Sequence, residues 1–128
     1  MKLLLDTHTL LWAAHEPAKL SVEAANAIRS HDNDVFVSPV SAMEITTKAR
    51  KGKLEYDTDL SRRYVAEVAA RGFKILGISG EHAERAGRYV SDNQDPWDRL
   101  LAAQAQIEGL ALVSRDEKMS DFGITLFW

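Results

Sequence analysis

Short apolar runs alternate along this chain with longer stretches in which apolar residues recur at helical spacing. Lys2–Leu5 is a short apolar run and reads as a buried strand. Thr9–Ala14 gives a helical turn or two, ended by Pro17. Ser21 is a good N-cap for a helix from Val22 to about Ser30, because its hydroxyl oxygen satisfies an otherwise unpaired amide of the first turn. The polar "HDND" that follows is a turn, and Val35–Ser38 is a second strand. Pro39 suits the first position of a helix, where its missing N–H would be unpaired anyway. That helix runs to about Lys51, and Gly52 stops it.

After the polar connector "KLEYDTD", Leu60–Arg71 is amphipathic, with Leu60, Tyr64, Val65 and Val68 on one face and Gly72 as its stop. Phe73–Ile78 reads as a third strand. Glu81–Val90 reads as a helix begun by Ser79 or Gly80, and Trp97–Glu108 as another, ended by Gly109. Leu110–Ser114 is a fourth strand, and Ile124–Trp128 a fifth at a sheet edge. Strands alternating with helices imply the α/β class: a parallel sheet of four or five strands covered by helices on both faces. No repeat, low-complexity tract or linker divides the chain, so residues 1–128 are expected to form one domain.

Composition narrows the chemistry. The chain of 128 residues is long enough to bury a core without disulfides, and it has no cysteine. That excludes a disulfide framework, a thiolate zinc site and a cysteine nucleophile. Asp6, Thr7 and His8 interrupt the N-terminal apolar run, and no run reaches the length of a membrane span. A soluble, cytoplasmic protein with no membrane association is expected. The formal net charge of −3 argues mildly against nucleic-acid binding, whose footprint is usually basic. The argument fails if several of the acids are gathered around metal ions.

In an open α/β sheet, ligands bind outside the carboxyl ends of the strands. Asp6 ends the first strand, and Glu44 lies in the helix leaving the second. Asp98 opens the helix leading into the fourth strand, and Asp116 lies just past that strand's end. Each acid alone has a structural reading. Asp6 is placed to cap the helix after it. Ser41 and Glu44 form the S-x-x-E pattern of a capping box, although Ser38-Pro39 is the better helix start. Asp95 followed by Pro96 is a near-ideal helix start, which leaves Asp98 at the third helical position. Asp116 suits a turn. Together the four point further. Crowded carboxylates raise each other's pKa values unless a cation neutralises them. Oxygen ligands without cysteine favour Mg²⁺ or Mn²⁺ over zinc. Such a centre suits metal-assisted phosphodiester cleavage, in which the ion activates water and neutralises charge on the phosphate.

Phosphate-loop, dinucleotide-binding and nucleophile-elbow motifs are absent, and His8, His15, His31 and His82 lack metalloprotease spacing. His8 is close enough in sequence to Asp6 to reach the same site, but a helix-start or core role is favoured. Lys48, Arg50, Lys51 and Lys53 cluster at a helix C-terminus. Cations complement the dipole there, and Lys48 is spaced to pair with Glu44; phosphate contact is an equal reading. Arg99 and Arg115 adjoin two of the acids and carry the same two readings. Trp12, Trp97 and Trp128 are expected in core or interface rather than as base-stacking platforms.

"LLLDTHTLLW", "VSPVSAMEITTKARKGKL", "DPWDRLLAAQA" and "LVSRDEKM" occur in that order. They resemble the PIN-domain nucleases, and among them the VapC-like toxins of bacterial toxin–antitoxin pairs, nearly end to end. The combination of D-T-H-x-L-L-W with D-P-[FW]-D-R-L-L-x-A-Q-A is specific, whereas any one piece is not. The resemblance implies a three-layer α/β sandwich and Mg²⁺- or Mn²⁺-dependent cleavage of RNA. It assigns the acids to Asp6, Glu44, Asp98 and Asp116 as metal ligands and catalytic residues, and matches Ser114 to a small hydroxyl position. Thr7, Ser114 and Lys48 are expected in supporting roles. It further implies a homodimer and a small antitoxin that covers the acidic site. Asn93, Trp97 and Met43 depart from residues common at those positions (His, Phe and Trp), which bears on substrate preference rather than on the acids. One rival is a haloacid-dehalogenase-like phosphohydrolase or phosphoacceptor with Asp6 as nucleophile. Asp6-Thr7-His8 lacks the D-x-D such enzymes want. The other is a non-catalytic PIN-like binding module, against which the four intact acids count.

Overall fold

Leu3, Leu4 and Leu5 are all fully buried, as a strand covered on both faces requires. A computed structural model describes the whole chain, residues 1–128. Its strands are β1 (Lys2–Leu5), β2 (Asp34–Val37), β3 (Lys74–Ile75), β4 (Ala111–Val113) and β5 (Leu126–Phe127). They form one parallel sheet in the order β3-β2-β1-β4-β5, with Leu3 opposite Val35 on one side and Ala111 on the other. Its helices are α1 (Thr7–His15), α2 (Val22–Arg29), α3 (Pro39–Arg50), α4 (Tyr64–Ala70), α5 (Gly80–Arg88) and α6 (Pro96–Glu108). No helix is long and apolar enough to cross a membrane.

Side chains alternate across a strand, and the two halves of the core follow that alternation. Leu3 and Leu5 join Val35 and Val37 beneath α1, α2 and α4, through Leu10, Ala24 and Val68. Leu4 and Leu112 face the other way and pack under α6 through Leu101, Ala102 and Ala105. The result is the expected helix–sheet–helix sandwich.

Local departures from the sequence expectations have physical causes. The first helix starts at Thr7, not Thr9, because the Asp6 carboxylate accepts from the Thr9 amide and caps it. The second strand runs Asp34–Val37 and releases Ser38, whose hydroxyl caps α3 by accepting from Val40 N–H. Ser38, and not Ser41, is therefore the helix start, and the capping-box reading of Glu44 is set aside. The single helix expected over Leu60–Arg71 is split. Thr58 caps a short 3-10 turn, Asp59–Ser61, and α4 begins only at Tyr64. Val65 is exposed rather than on the buried face. The fifth helix ends at Arg88, short of Val90, which is fully exposed.

The third strand, expected over Phe73–Ile78, spans only Lys74–Ile75. Beyond Ile75 the carbonyls of this segment find a donor outside the sheet. The Gln104 side chain, completely buried on α6, donates to the carbonyls of Leu76 (2.9 Å) and Gly77 (3.3 Å). Its own oxygen accepts from the Ser38 hydroxyl at 2.6 Å. One amide thus joins the start of α3, the end of β3 and the middle of α6. Replacing it with an apolar side chain leaves the buried Ser38 hydroxyl and the part-buried Leu76 carbonyl without their partner, at roughly 1–3 kcal/mol. Gln104→Leu is therefore expected to lower the stability measured by urea unfolding by that amount; an unchanged midpoint would show that the amide does not hold these segments.

Candidate active site

The strand order reverses direction at β1: the chain builds outward to β2 and β3 on one side, then returns to place β4 on the other. Such a switch point opens a crevice between the carboxyl ends of the two strands. Asp6 follows β1 and Asp116 follows β4, so the two acids flank it. They line one open cavity of about 300 Å³ together with His8, Trp12 and Arg115.

Each of the four sequence-predicted acids is held by one oxygen. Asp6 Oδ1 accepts from Thr9 N–H at 2.8 Å, and its own amide donates to Val113 O, tying it to the end of β4. Asp116 Oδ1 accepts from Lys118 N–H at 3.0 Å. Glu44, inside α3, accepts through Oε1 from the Thr7 hydroxyl at 2.7 Å. Asp98, in the first turn of α6, accepts through Oδ2 from the Asn93 amide at 3.0 Å. The second oxygen of every one of these carboxylates has no protein partner, and none of the four forms an ion pair.

The supporting residues divide. Thr7 is buried, and because its single proton goes to Glu44, the Ser41 hydroxyl 2.9 Å away donates to it. Ser114 is also buried; its hydroxyl accepts from Asp116 N–H at 3.0 Å, so it sets the turn that presents Asp116 rather than facing the crevice. Lys48 makes no ion pair with Glu44, although its charge lowers the Glu44 pKa. Arg99 is no phosphate contact. Its guanidinium donates to the carbonyls of Ala86, Tyr89, Ser91 and Asn93, closing the end of α5 and fixing the loop into α6. Asp95 caps α6 as expected, accepting from Trp97 N–H at 2.8 Å.

The acids feel one another. Burial raises the Asp98 pKa above the ordinary carboxylate value; the Asn93 hydrogen bond opposes this, and the charges of Asp95, Asp116 and Asp6 add to the rise. Burial likewise raises Glu44, opposed by Thr7 and Lys48 and reinforced by Asp95 and Asp98. The cap Asp95 therefore adds its charge to the same cluster. The donors fit a hard divalent cation: oxygen only, one free oxygen each, and mutual repulsion that a cation relieves. No three acids lie close enough to enclose an ion unaided. Mg²⁺ commonly keeps several waters, so a partial set of carboxylates suits it.

Two contributors escape a reading of the sequence. Asn93 and Ser41 act as hydrogen-bonding supports, which no motif announces. His8 is exposed beside the crevice, tilted against Trp12 with ring centroids 5.7 Å apart, and is not a core residue.

With this geometry in place, comparison is informative. A family model described as "PIN domain" matches residues 3–124. The chain belongs to the PIN-domain family. This PIN domain is similar to "Ribonuclease VapC22" of Mycobacterium tuberculosis, 29% identical over 117 residues, which cover 91% of this chain and 88% of that protein. Its fold is also that of VapBC2 from Rickettsia felis, solved bound to a DNA fragment from its promoter (TM-score 0.71, 16% identity, covering 99% and 98% of the two chains). A toxin–antitoxin complex from Klebsiella pneumoniae matches with a TM-score of 0.60 and 24% identity, covering 91% and 88%. These matches do not favour the phosphohydrolase or the binding-only alternative.

The raised pKa values of Glu44 and Asp98 fix the sign of a pH effect. The folded state holds their protons more tightly than the unfolded chain does. Their contribution to stability is thus fully present below the ordinary carboxylate pKa and is lost as pH rises through the raised folded values. In chelator, Asp98→Asn and Glu44→Gln are expected to melt at or above the wild-type temperature at pH 8, with the gain fading towards pH 4. Variants that melt well below wild type at pH 8 would contradict this account.

Proposed function

We propose that this PIN domain is a metal-dependent endoribonuclease, the toxin of a toxin–antitoxin pair acting in the cytoplasm. The observation that carries the reading is the set of four carboxylates from separate chain segments, each with one oxygen fixed and the other free, grouped about the switch-point crevice. Similarity to a protein named as a ribonuclease supports it. Asp6, Glu44, Asp98 and Asp116 hold the cation, Mg²⁺ or Mn²⁺. A divalent cation there neutralises charge on the scissile phosphate and makes a nearby water more acidic.

The chain's own residues supply position. Thr7 and Asn93 orient Glu44 and Asp98 by hydrogen bonds to one oxygen of each, leaving the other free. Ser114 sets Asp116 through the turn. Asp6 is fixed between β1 and α1 and cannot swing away without uncapping the helix. A small antitoxin that presents a basic side chain to the crevice would neutralise the same charges, and the toxin–antitoxin complexes that share this fold support such a partner. The active chain is proposed to be a homodimer.

The test compares variants on mixed cellular RNA. Wild type is expected to cut with Mg²⁺ or Mn²⁺ and to stop in chelator. Asp6→Asn and Asp98→Asn are expected to lose cleavage while staying folded. Thr7→Val and Asn93→Ala are expected to lose about 10–100-fold, as outer-shell supports of metal sites do. Cleavage that survives chelation, or that is undiminished in Asp6→Asn, would sink the proposal. For the partner, a short protein that co-purifies with the chain and suppresses cleavage is the expected finding.

A further inference from the structure

A second cavity, of about 220 Å³, adjoins the acidic crevice and shares His8 and Trp12 with it. Its chemistry is the opposite. Lys19, Lys48 and Lys53 line it beside Tyr56, and Glu55 is the only acid on its wall. Lys19 is paired with Glu16 at 3.3 Å, but Lys48 and Lys53 have no ion-pair partner. Two cations also reach the Trp12 ring: Lys19 Nζ lies 5.9 Å and Arg115 Cζ 6.0 Å from its centre.

The pairing of Lys48 with Lys53 is built by the backbone. At the end of α3, Gly52 takes a left-handed conformation (φ +67°). Lys53 N–H then donates to Lys48 O at 2.9 Å, and Gly52 N–H to Ala49 O at 3.1 Å. This closure turns the chain back so that Lys53 stands beside Lys48, instead of continuing away from the site. Lys48 itself is one helical turn from Glu44. The charge of Lys48 therefore reaches Glu44.

We infer that this cavity binds an unpaired nucleotide of the RNA chain next to the scissile phosphate, with its phosphate on Lys48 and Lys53 and its base against Trp12. The inference rests on the ribonuclease reading. Its support is complementarity. Free ammonium groups beside an aromatic wall suit a phosphate and a base together. The acidic crevice, which shares the His8 and Trp12 wall with the cavity, suits a phosphate only once a cation is present. A base in a duplex has both faces covered by its neighbours, so only an unpaired one can use Trp12.

The test separates binding from cutting. The full chain is kept in chelator and titrated into fluorescein-labelled oligouridylate, and into an abasic oligomer of the same length, over a range of salt. The double variant Lys48→Ala/Lys53→Ala is expected to flatten the slope of log affinity against log salt by about 0.7, for the one phosphate no longer neutralised. Trp12→Leu is expected to weaken oligouridylate binding about 5- to 150-fold and to leave the abasic oligomer unchanged. Trp12 packs edge-on against Trp128, so its variant is compared with Lys53→Glu, whose side chain is exposed and whose substitution leaves the core intact. Lys53→Glu is expected to weaken both oligomers alike. An unchanged salt slope in the double lysine variant overturns the inference, and so does loss of a co-purifying small protein with RNA affinity intact, which would assign the cavity to a protein partner. If these binding effects appear in a chain that cuts nothing with Mg²⁺ or Mn²⁺, the nucleotide site stands and the nuclease reading falls. If cleavage is present without them, the reverse holds.

Discussion

Carboxylates in a partly desolvated crevice repel, and the repulsion among Asp98, Asp95, Asp116 and Asp6 acts on the same turns that carry them. Much of the polar structure at this end of the sheet opposes it. Thr9 binds Val113 O through its hydroxyl and Asp6 through its amide, so one residue clips β1 to β4 beneath the acids. Ser41 and Thr7 pass a hydrogen bond up to Glu44. Arg99 collects four carbonyls and thereby fixes Asn93, which holds Asp98. The donors that touch the four acids are a hydroxyl, a side-chain amide and two backbone N–H groups. No lysine or arginine is paired to any of these acids, so the repulsion is not relieved by an ion pair within the protein.

How much of this is legible in the sequence depends on whether the signal is local. Buried parallel strands are announced by unbroken apolar runs, and "LLL" and "LALV" mark β1 and β4 to within a residue. Helix starts are legible where the cap is a short polar side chain, as at Ser21, Ser38 and Asp95. One failure is non-local. Phe73–Ile78 is apolar enough for a longer strand, but a glutamine about thirty residues later in the chain takes the carbonyls that a longer ladder would need. The other failure is local: Thr58 caps a separate 3-10 turn, Asp59–Ser61, where one continuous helix is expected, and α4 begins only at Tyr64.

The four acids are legible because each follows a recognisable strand end or helix start. Their supports are not. Asn93 and Ser41 are ordinary polar residues whose partners lie on other segments or across a loop, and nothing in their immediate neighbours marks them. Arg99 is ambiguous in sequence beside Asp98, and only its four backbone partners settle that it is structural. Sequence favours a helix-start or core place for His8 and a core or interface place for Trp12; both lie on α1, in the wall shared by the acidic crevice and the lysine-lined cavity. A pattern of apolar spacing cannot distinguish an aromatic ring that fills a core from one that forms a wall at its rim.

The double use of Asp6, as helix cap and as cluster member, has a consequence at the level of heredity. Asparagine caps a helix about as well as aspartate, and an aspartate codon becomes an asparagine codon by a single transition. A cell carrying that change at Asp6 would make a chain of ordinary solubility and lifetime, with its surface intact and its crevice one charge poorer. Quality control, which inspects folding, would pass it. On the proposed reading of the site, the lineage would lose the chemistry without losing the protein.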